Sequence, residues 1–345
     1  MLTSGDARER YSATHSHVER GLSVRRLIKK SFRATAAFYL ADNLVRGLRF
    51  RVGDIETESG TPHAGRPVDS SVRYIDEVFA DYKKYSGVTR FSGRVAEIGP
   101  GDNCGVGLMF LADGCREVDL VDRFYSKRSS RQHGEIYRAL FARHAGLAAR
   151  MSGSDADDES TFEGVRRRYG ASASAEEFFV RSTGYDFIVS RAVMEHVYDP
   201  RLAIKNMAAA LKPGGMLLHK VDLRDHGMFT PNFHELKFLE VPDWVYPRMT
   251  RNAGRPNRVL AHEYRAVLRE TLPDHEVLVT RLAGAGDIDP HLPYGAIDAA
   301  LRDRSLAYVR SVRQRFAASF RTVSDEDLSI AGIFIVARKP AASSL

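Results

Sequence analysis

The stretch Glu97-Ile98-Gly99-Pro100-Gly101-Asp102-Asn103 decides the fold. It follows an apolar run at 94–98, read as a strand, and precedes a helix-like run at 104–112. Two glycines at i and i+2 let the backbone turn tightly and approach a ligand with no side chain in the way. The helix that follows points its N–H groups and positive dipole end toward that ligand. Many turns contain Gly-x-Gly, so the motif needs a second signal. Asp122 supplies it, directly after the next apolar run at 118–121. A carboxylate at the end of a second strand can accept both hydroxyls of a ribose. Together the two features predict an adenosine-containing cofactor on a doubly wound sheet, without deciding which cofactor.

Outward from this loop, short apolar runs alternate with helical stretches. Strand-like runs fall at 94–98, 118–121, 187–190, 216–221, 275–281 and 330–336, and helical ones at 71–85, 104–112, 132–151 and 201–211. Such alternation means βαβ units and a mostly parallel sheet covered on both faces. Residues 152–160 (SGSDADDES) read as an acidic loop, and 52–70 as a linker rich in Gly, Pro, Ser and Thr. The expected division is a helical arm and linker over 1–70 and a catalytic domain over 71–340. Segments 229–273 and 285–325 are then helical or lid insertions.

Three further segments narrow the cofactor. Glu97 is an acid two residues before the first glycine; 185–200 read YDFIVSRAVMEHVYDP; and 211–216 read LKPGGM, leading into a strand. With these motifs in order, the sequence resembles the class I S-adenosylmethionine-dependent methyltransferases over about 71–221 and 275–339. It is loosely similar to bacterial enzymes that modify glycans and secondary metabolites. The resemblance implies an α/β fold with a seven-stranded, Rossmann-like, mostly parallel sheet whose last strand is antiparallel. Residues 330–340 (IAGIFIVARKP) match that last strand. It also implies roles. Gly99 and Gly101 would face the methionine part of S-adenosyl-L-methionine, and Glu97 would hold its amino group through water. Asp122 would bind the ribose. Ala175 or Glu176 would touch the adenine, and Ser190 would line the cofactor site. The family's third glycine is replaced here by Asn103.

Methyl transfer is an in-line displacement, so the protein aligns and desolvates the nucleophile, and an oxygen nucleophile gains from a nearby base. Such groups sit just beyond the carboxyl ends of the strands. His226, Asp222 and His196 are the catalytic candidates, because His226 lies past the fifth strand beside carboxylates and His196 lies after the fourth. Arg191, Asp225, Trp244, Asn257, Arg258 and Tyr264 are the candidates for acceptor binding, since aromatics stack on rings and Asn and Arg fix polar groups. Asp222, Asp225 and His226 have donors suited to a divalent metal. The metal-dependent members that methylate catechols carry an acid directly after the fourth strand, where this chain has Ser190-Arg191, so no metal is expected.

The net charge of +7 does not describe the whole chain. Residues 1–53 hold eleven bases and four acids, so the remaining residues are neutral overall. On a helix read over 23–39, Arg25, Arg26, Lys29, Lys30 and Arg33 share one side and Val24, Leu27, Ile28, Phe32, Phe38 and Tyr39 the other. Such a helix can lie on an anionic membrane or acidic polymer, grip a phosphate-rich partner, or dock its apolar face on the catalytic domain. Nucleic acid is not the expected partner, because SRAVMEH is not an Asn-Pro-Pro-aromatic signature. Two cysteines cannot build a disulfide framework, no apolar run reaches the roughly 20 residues that span a bilayer, and residues 1–20 carry three acids. A cytoplasmic enzyme, peripheral at most to the inner membrane surface, is expected. Its acceptor would be a small molecule or glycan methylated on oxygen. The alternatives are an RNA methyltransferase tethered by the arm and a non-catalytic cofactor-binding regulator.

Overall fold

The computed structural model describes residues 28–341, apart from 54, 58–62, 64 and 128. Among these residues the central sheet has eight strands: β1 (Gly93–Ile98), β2 (Cys115–Asp122), β3 (Val165–Tyr169), β4 (Tyr185–Arg191), β5 (Leu211–Asp222), β6 (Asp274–Leu282), β7 (Gly286–Leu292) and β8 (Ile330–Arg338). Their order is β3-β2-β1-β4-β5-β8-β6-β7. Strands β1 to β5 pair in parallel, and β8 runs antiparallel between β5 and β6. The expected seven-stranded, Rossmann-like arrangement is therefore present, with β7 added antiparallel at the edge beside β6.

Two strands escaped the reading by apolar runs. In β3 the residues Arg166, Arg167 and Arg168 are exposed, as an edge strand allows. Strand β7 carries Pro290, which an edge tolerates because no neighbour needs its missing N–H. It lies in the segment expected to be helical over 285–325.

Helices cover both faces. The period of 71–85 appears as α2 (Val68–Ser86), whose Val72, Ile75, Val78, Phe79 and Tyr82 are buried. With α3 (Gly105–Asp113) and α4 (Ser130–Arg143) it packs on the side of Val95, Leu120 and Leu218. The helix expected over 132–151 breaks at His144, where the backbone is extended. On the other side, Ile204 and Met207 of α5 (Pro200–Ala210) and Tyr264 and Leu268 of α6 (Ala261–Thr271) meet Ile98, Ile188 and Ile333. Between the layers, Arg94 of β1 and the Tyr185 hydroxyl of β4 both donate to Asp119 of β2, at 2.7 and 2.9 Å. This buried carboxylate thereby ties three strands together.

The N-terminal helix differs from its expected limits. Residues 23–27, with Arg25 and Arg26, lie outside the described residues. The described helix is α1 (Phe32–Arg51), capped by Ser31, whose backbone is extended and whose hydroxyl accepts the Ala34 N–H. Among the described residues this helix runs unbroken to Arg51, past the expected end at Tyr39. Its inner face joins a third apolar cluster, where Tyr39 meets Phe229, Phe238 and Tyr246 of the first insertion and Val309 and Phe316 of the second. Asn43 fixes the contact: its Oδ1 accepts the N–H groups of Asn252 and Ala253 at 2.6 and 3.1 Å. The outer face carries Leu40, Leu44, Leu48 and Val52, exposed at intervals of four, with Leu44 at 66% and Val52 at 83%. Of the linker, Glu56–Thr57 pairs in parallel with Tyr125–Ser126. Among the described residues no helix is long and apolar enough to cross a membrane.

Candidate active site

Where β1 ends, Gly99 and Gly101 both adopt left-handed backbone, with φ of 66° and 67°. The Gly99 N–H donates to Val121 O at 2.9 Å and holds the turn against β2. A Cβ on Gly99 would stand 2.3 Å from Val193 Cγ2, so no larger residue fits. Asn103, at the third glycine's place, accepts the Gly105 N–H on its Oδ1 at 2.6 Å and caps the start of α3. The substitution thus supports the helix whose dipole faces the loop.

The loop opens into a cavity of about 370 Å³, within the range of small-ligand sites. Gly99, Gly101, Asp122, Ala175, Glu176, His196 and His226 all line it. So do three features that the sequence reading missed: Arg46, Arg49 and Phe50 of α1, Arg123 and Phe124 after β2, and residues 252–256 of the first insertion. The helix read as an arm outside the catalytic core is part of the cavity wall. The signal was available in the spacing of Arg46, Arg49 and Phe50, which share one helical face.

The other sequence candidates lie outside the cavity wall. Glu97 is buried beneath the loop, where a Cβ on Gly107 of α3 would come within 3.3 Å of its carboxylate. Ser190 is fully buried and bonds His219 Nδ1 at 2.7 Å. Arg191 turns to α2, where it donates to Asp81 at 2.7 Å. Glu176 lines the cavity, but its carboxylate accepts the backbone N–H groups of Tyr198 and Asp199.

The remaining acceptor candidates do not line the cavity either. Trp244 is 70% exposed on the surface. Asn257 donates to Met194 O and Val197 O, and Tyr264 is core and donates to Met194 O. Arg258 donates to Val241 O at 2.7 Å and lies over the Tyr246 and Phe320 rings. Asp225 organises the turn after β5 by accepting the N–H groups of Gly227, Phe229 and Thr230. Aromatic and basic composition had marked the right insertion but not which of its side chains face inward.

That turn presents His226 with φ of 47°, which is rare for a residue with a Cβ and marks a position held by its surroundings. Its Nε2 stands 3.3 Å from Asp222 Oδ2 and 3.5 Å from Glu195 Oε1, and its ring meets that of His196 edge to face at 4.8 Å. Burial opposes the imidazolium of His226, but the hydrogen bond to Asp222 and the Glu195 charge outweigh it and raise its pKa. Burial also opposes the Asp222 carboxylate, yet hydrogen bonds from His226 and Arg224 hold it well below the usual range. Burial pushes Glu195 up to about 8 and His196 down to about 3, so His196 is neutral at physiological pH. One ligand atom each from Glu195, His196 and His226 lies within 4.8 Å of the others, so a divalent cation would compete with the proton on His226.

The donor set fits S-adenosylmethionine. Glycine backbone faces the space beside β1, the Asp122 carboxylate lies at the end of β2, and Ala175 offers an apolar wall. Among solved structures, the chain is similar to phosphoethanolamine N-methyltransferase 2 of Haemonchus contortus in complex with S-adenosyl-L-methionine. The identity is 17% over 77% of this chain and 52% of that one, with a TM-score of 0.40. It is also similar to N-methyltransferase NodS of Bradyrhizobium japonicum in complex with S-adenosyl-L-homocysteine, at 13% identity over 80% and 89% of the two chains, with a TM-score of 0.36. The chain spans about half the length of the phosphoethanolamine N-methyltransferases it matches. No curated protein matches it in sequence. Residues 73–271, more than half of the chain, match the family described as a methyltransferase domain. The ordered motifs, the sheet and this match lead to one conclusion: the chain belongs to the family described as a methyltransferase domain, built on a Rossmann-like, mostly parallel sheet.

Proposed function

We propose that the enzyme methylates an oxygen of a small molecule or glycan and that His226 is its general base. The observation that carries the reading is the position of His226 in the cavity wall, with Nε2 between the Asp222 carboxylate and the buried Glu195 carboxyl group. The Asp222 carboxylate keeps the ring proton on Nε2 and leaves Nδ1 as the basic atom. The bound cofactor supplies the methyl electrophile. The chain's residues orient the acceptor hydroxyl, exclude water beneath α1 and 252–256, and remove the hydroxyl proton. Neutral His196 packs against His226 and limits its movement. Asp122 holds the ribose, and Asp222 and Glu195 position the base. For His226→Ala, kcat at saturating acceptor falls by roughly 10²–10⁴-fold with little change in KM. An unchanged kcat would overturn the base assignment.

The peripheral contact first read over 23–39 moves, in this proposal, to the outer face of α1. Leu40, Leu44, Leu48 and Val52 form its apolar stripe, and Arg51 adds charge at its end. The full chain is expected to sediment with anionic vesicles and to lose that binding in Leu44→Glu. Equal sedimentation of the variant would refute the contact. The arm's share in the cavity wall favours this enzyme reading over an RNA tether, because Arg46 and Arg49 face inward.

A further inference from the structure

The described residues that line the cavity include more arginines than acids. Arg46, Arg49, Arg123 and Arg255 line it, against Glu56, Asp122 and Glu176. Glu176 is engaged by two backbone amides, at 2.7 and 3.1 Å, and Asp122 is given to the ribose. Behind the wall, Asp42 is shared between two guanidinium groups. Its oxygens accept from Arg46 Nε at 3.2 and 3.3 Å, and Arg255 stands 3.8 Å away. The Nε atoms of Arg255 and Arg123 are buried and meet no hydrogen-bond acceptor among the described residues. A buried donor left in this state is costly unless a ligand completes it.

Arg255 stands at the acceptor end. Its charge acts on His196, and the next residues along place the Asn257 N–H on Glu195 O at 2.6 Å. Asp42 joins Arg46 to Arg255, and both line the cavity that His196 and His226 line. Guanidinium groups match carboxylate and phosphate oxygens in geometry as well as charge. We infer that the acceptor is an anionic small molecule whose phosphate or carboxylate is seated by Arg255 and Arg46 next to His226. The inference rests on the proposed function and narrows its substrate class.

Calorimetry on the full chain separates the two levels. S-adenosyl-L-homocysteine is titrated first, and failure to bind would count against the cavity as the cofactor site. On the saturated protein, inorganic phosphate, glucuronate and glucose follow. Binding of phosphate or of glucuronate, with none of glucose, is expected; which of the two binds identifies the anionic group. Arg255→Gln and Arg46→Gln should each weaken that binding about tenfold or more while leaving homocysteine-cofactor affinity intact. Arg255→Lys retains the charge beside Asp42 but not the planar fork, so weakened anion binding in this variant serves if a Gln variant does not fold. Equal binding of glucose, no binding of either anion, or Arg variants that lose only the homocysteine cofactor would each overturn the inference.

Discussion

Gly99→Ala tests the cofactor loop at its tightest point. The native φ of 66° is left-handed, and a residue with a Cβ adopts it at a cost of about 1–2 kcal/mol. The added methyl would also meet Val193 Cγ2 at 2.3 Å and Cγ1 at 2.9 Å, closer than carbon atoms pack. Overpacking of this size costs about 1–3 kcal/mol when neighbours must shift. The sum is roughly 2–5 kcal/mol, a large part of the roughly 5–15 kcal/mol that keeps a protein folded. Thermal unfolding should therefore show a fall of at least several degrees, at about 2 °C per kcal/mol. The loop can escape part of the clash by moving away from Val193, which withdraws its backbone from the cofactor. Calorimetric affinity for S-adenosyl-L-homocysteine should then drop as well. Adding Val193→Ala removes the clash but not the backbone strain, so the double variant should recover part of the stability. A single variant with unchanged Tm and cofactor affinity would refute both the strain argument and the placement of the loop.

Asp122→Ala removes the proposed ribose acceptor and should weaken S-adenosyl-L-homocysteine about 10–100-fold by calorimetry, with the fold intact by circular dichroism. Asn43→Ala leaves the N–H groups of Asn252 and Ala253 without their acceptor, and denaturant titration should show a loss of roughly 1–3 kcal/mol. Because this bond holds 252–256 against α1, cofactor affinity should fall with stability. His226 is a base only when deprotonated, and its pKa is raised, chiefly by Asp222 against burial. Turnover should thus decline as pH falls through a value above 6.5, and Asp222→Asn should move that decline to lower pH; a profile unmoved by the substitution would contradict the pairing.

Three of the cofactor candidates, Gly99, Gly101 and Asp122, line the cavity, and their signals are local. They sit at strand ends, where spacing and backbone requirements reveal them. The acceptor half depends on which faces of the insertions turn inward. Trp244 and Tyr264 illustrate the difficulty: one is exposed, the other is core, and neither lines the cavity. For the N-terminal helix, the described apolar residues of the expected face, Phe32, Phe38 and Tyr39, dock on the insertions, one of the alternatives the charge pattern left open. The split at 23–39 suggested an amphipathic surface element, while the residues that reach the cavity lie later, from Arg46 to Phe50. Only tertiary docking through Asn43 and Tyr39 selects that face. Strands β3 and β7 were hidden because edge strands need few apolar residues.

The most direct measurement incubates the full chain with methyl-labelled S-adenosylmethionine and a cell extract, then separates small molecules, glycans, RNA and protein. Label should enter an anionic small-molecule or glycan fraction as a methyl ether, and should be lost with His226→Ala. Label confined to RNA or protein, or carried on nitrogen or carbon, would contradict the account.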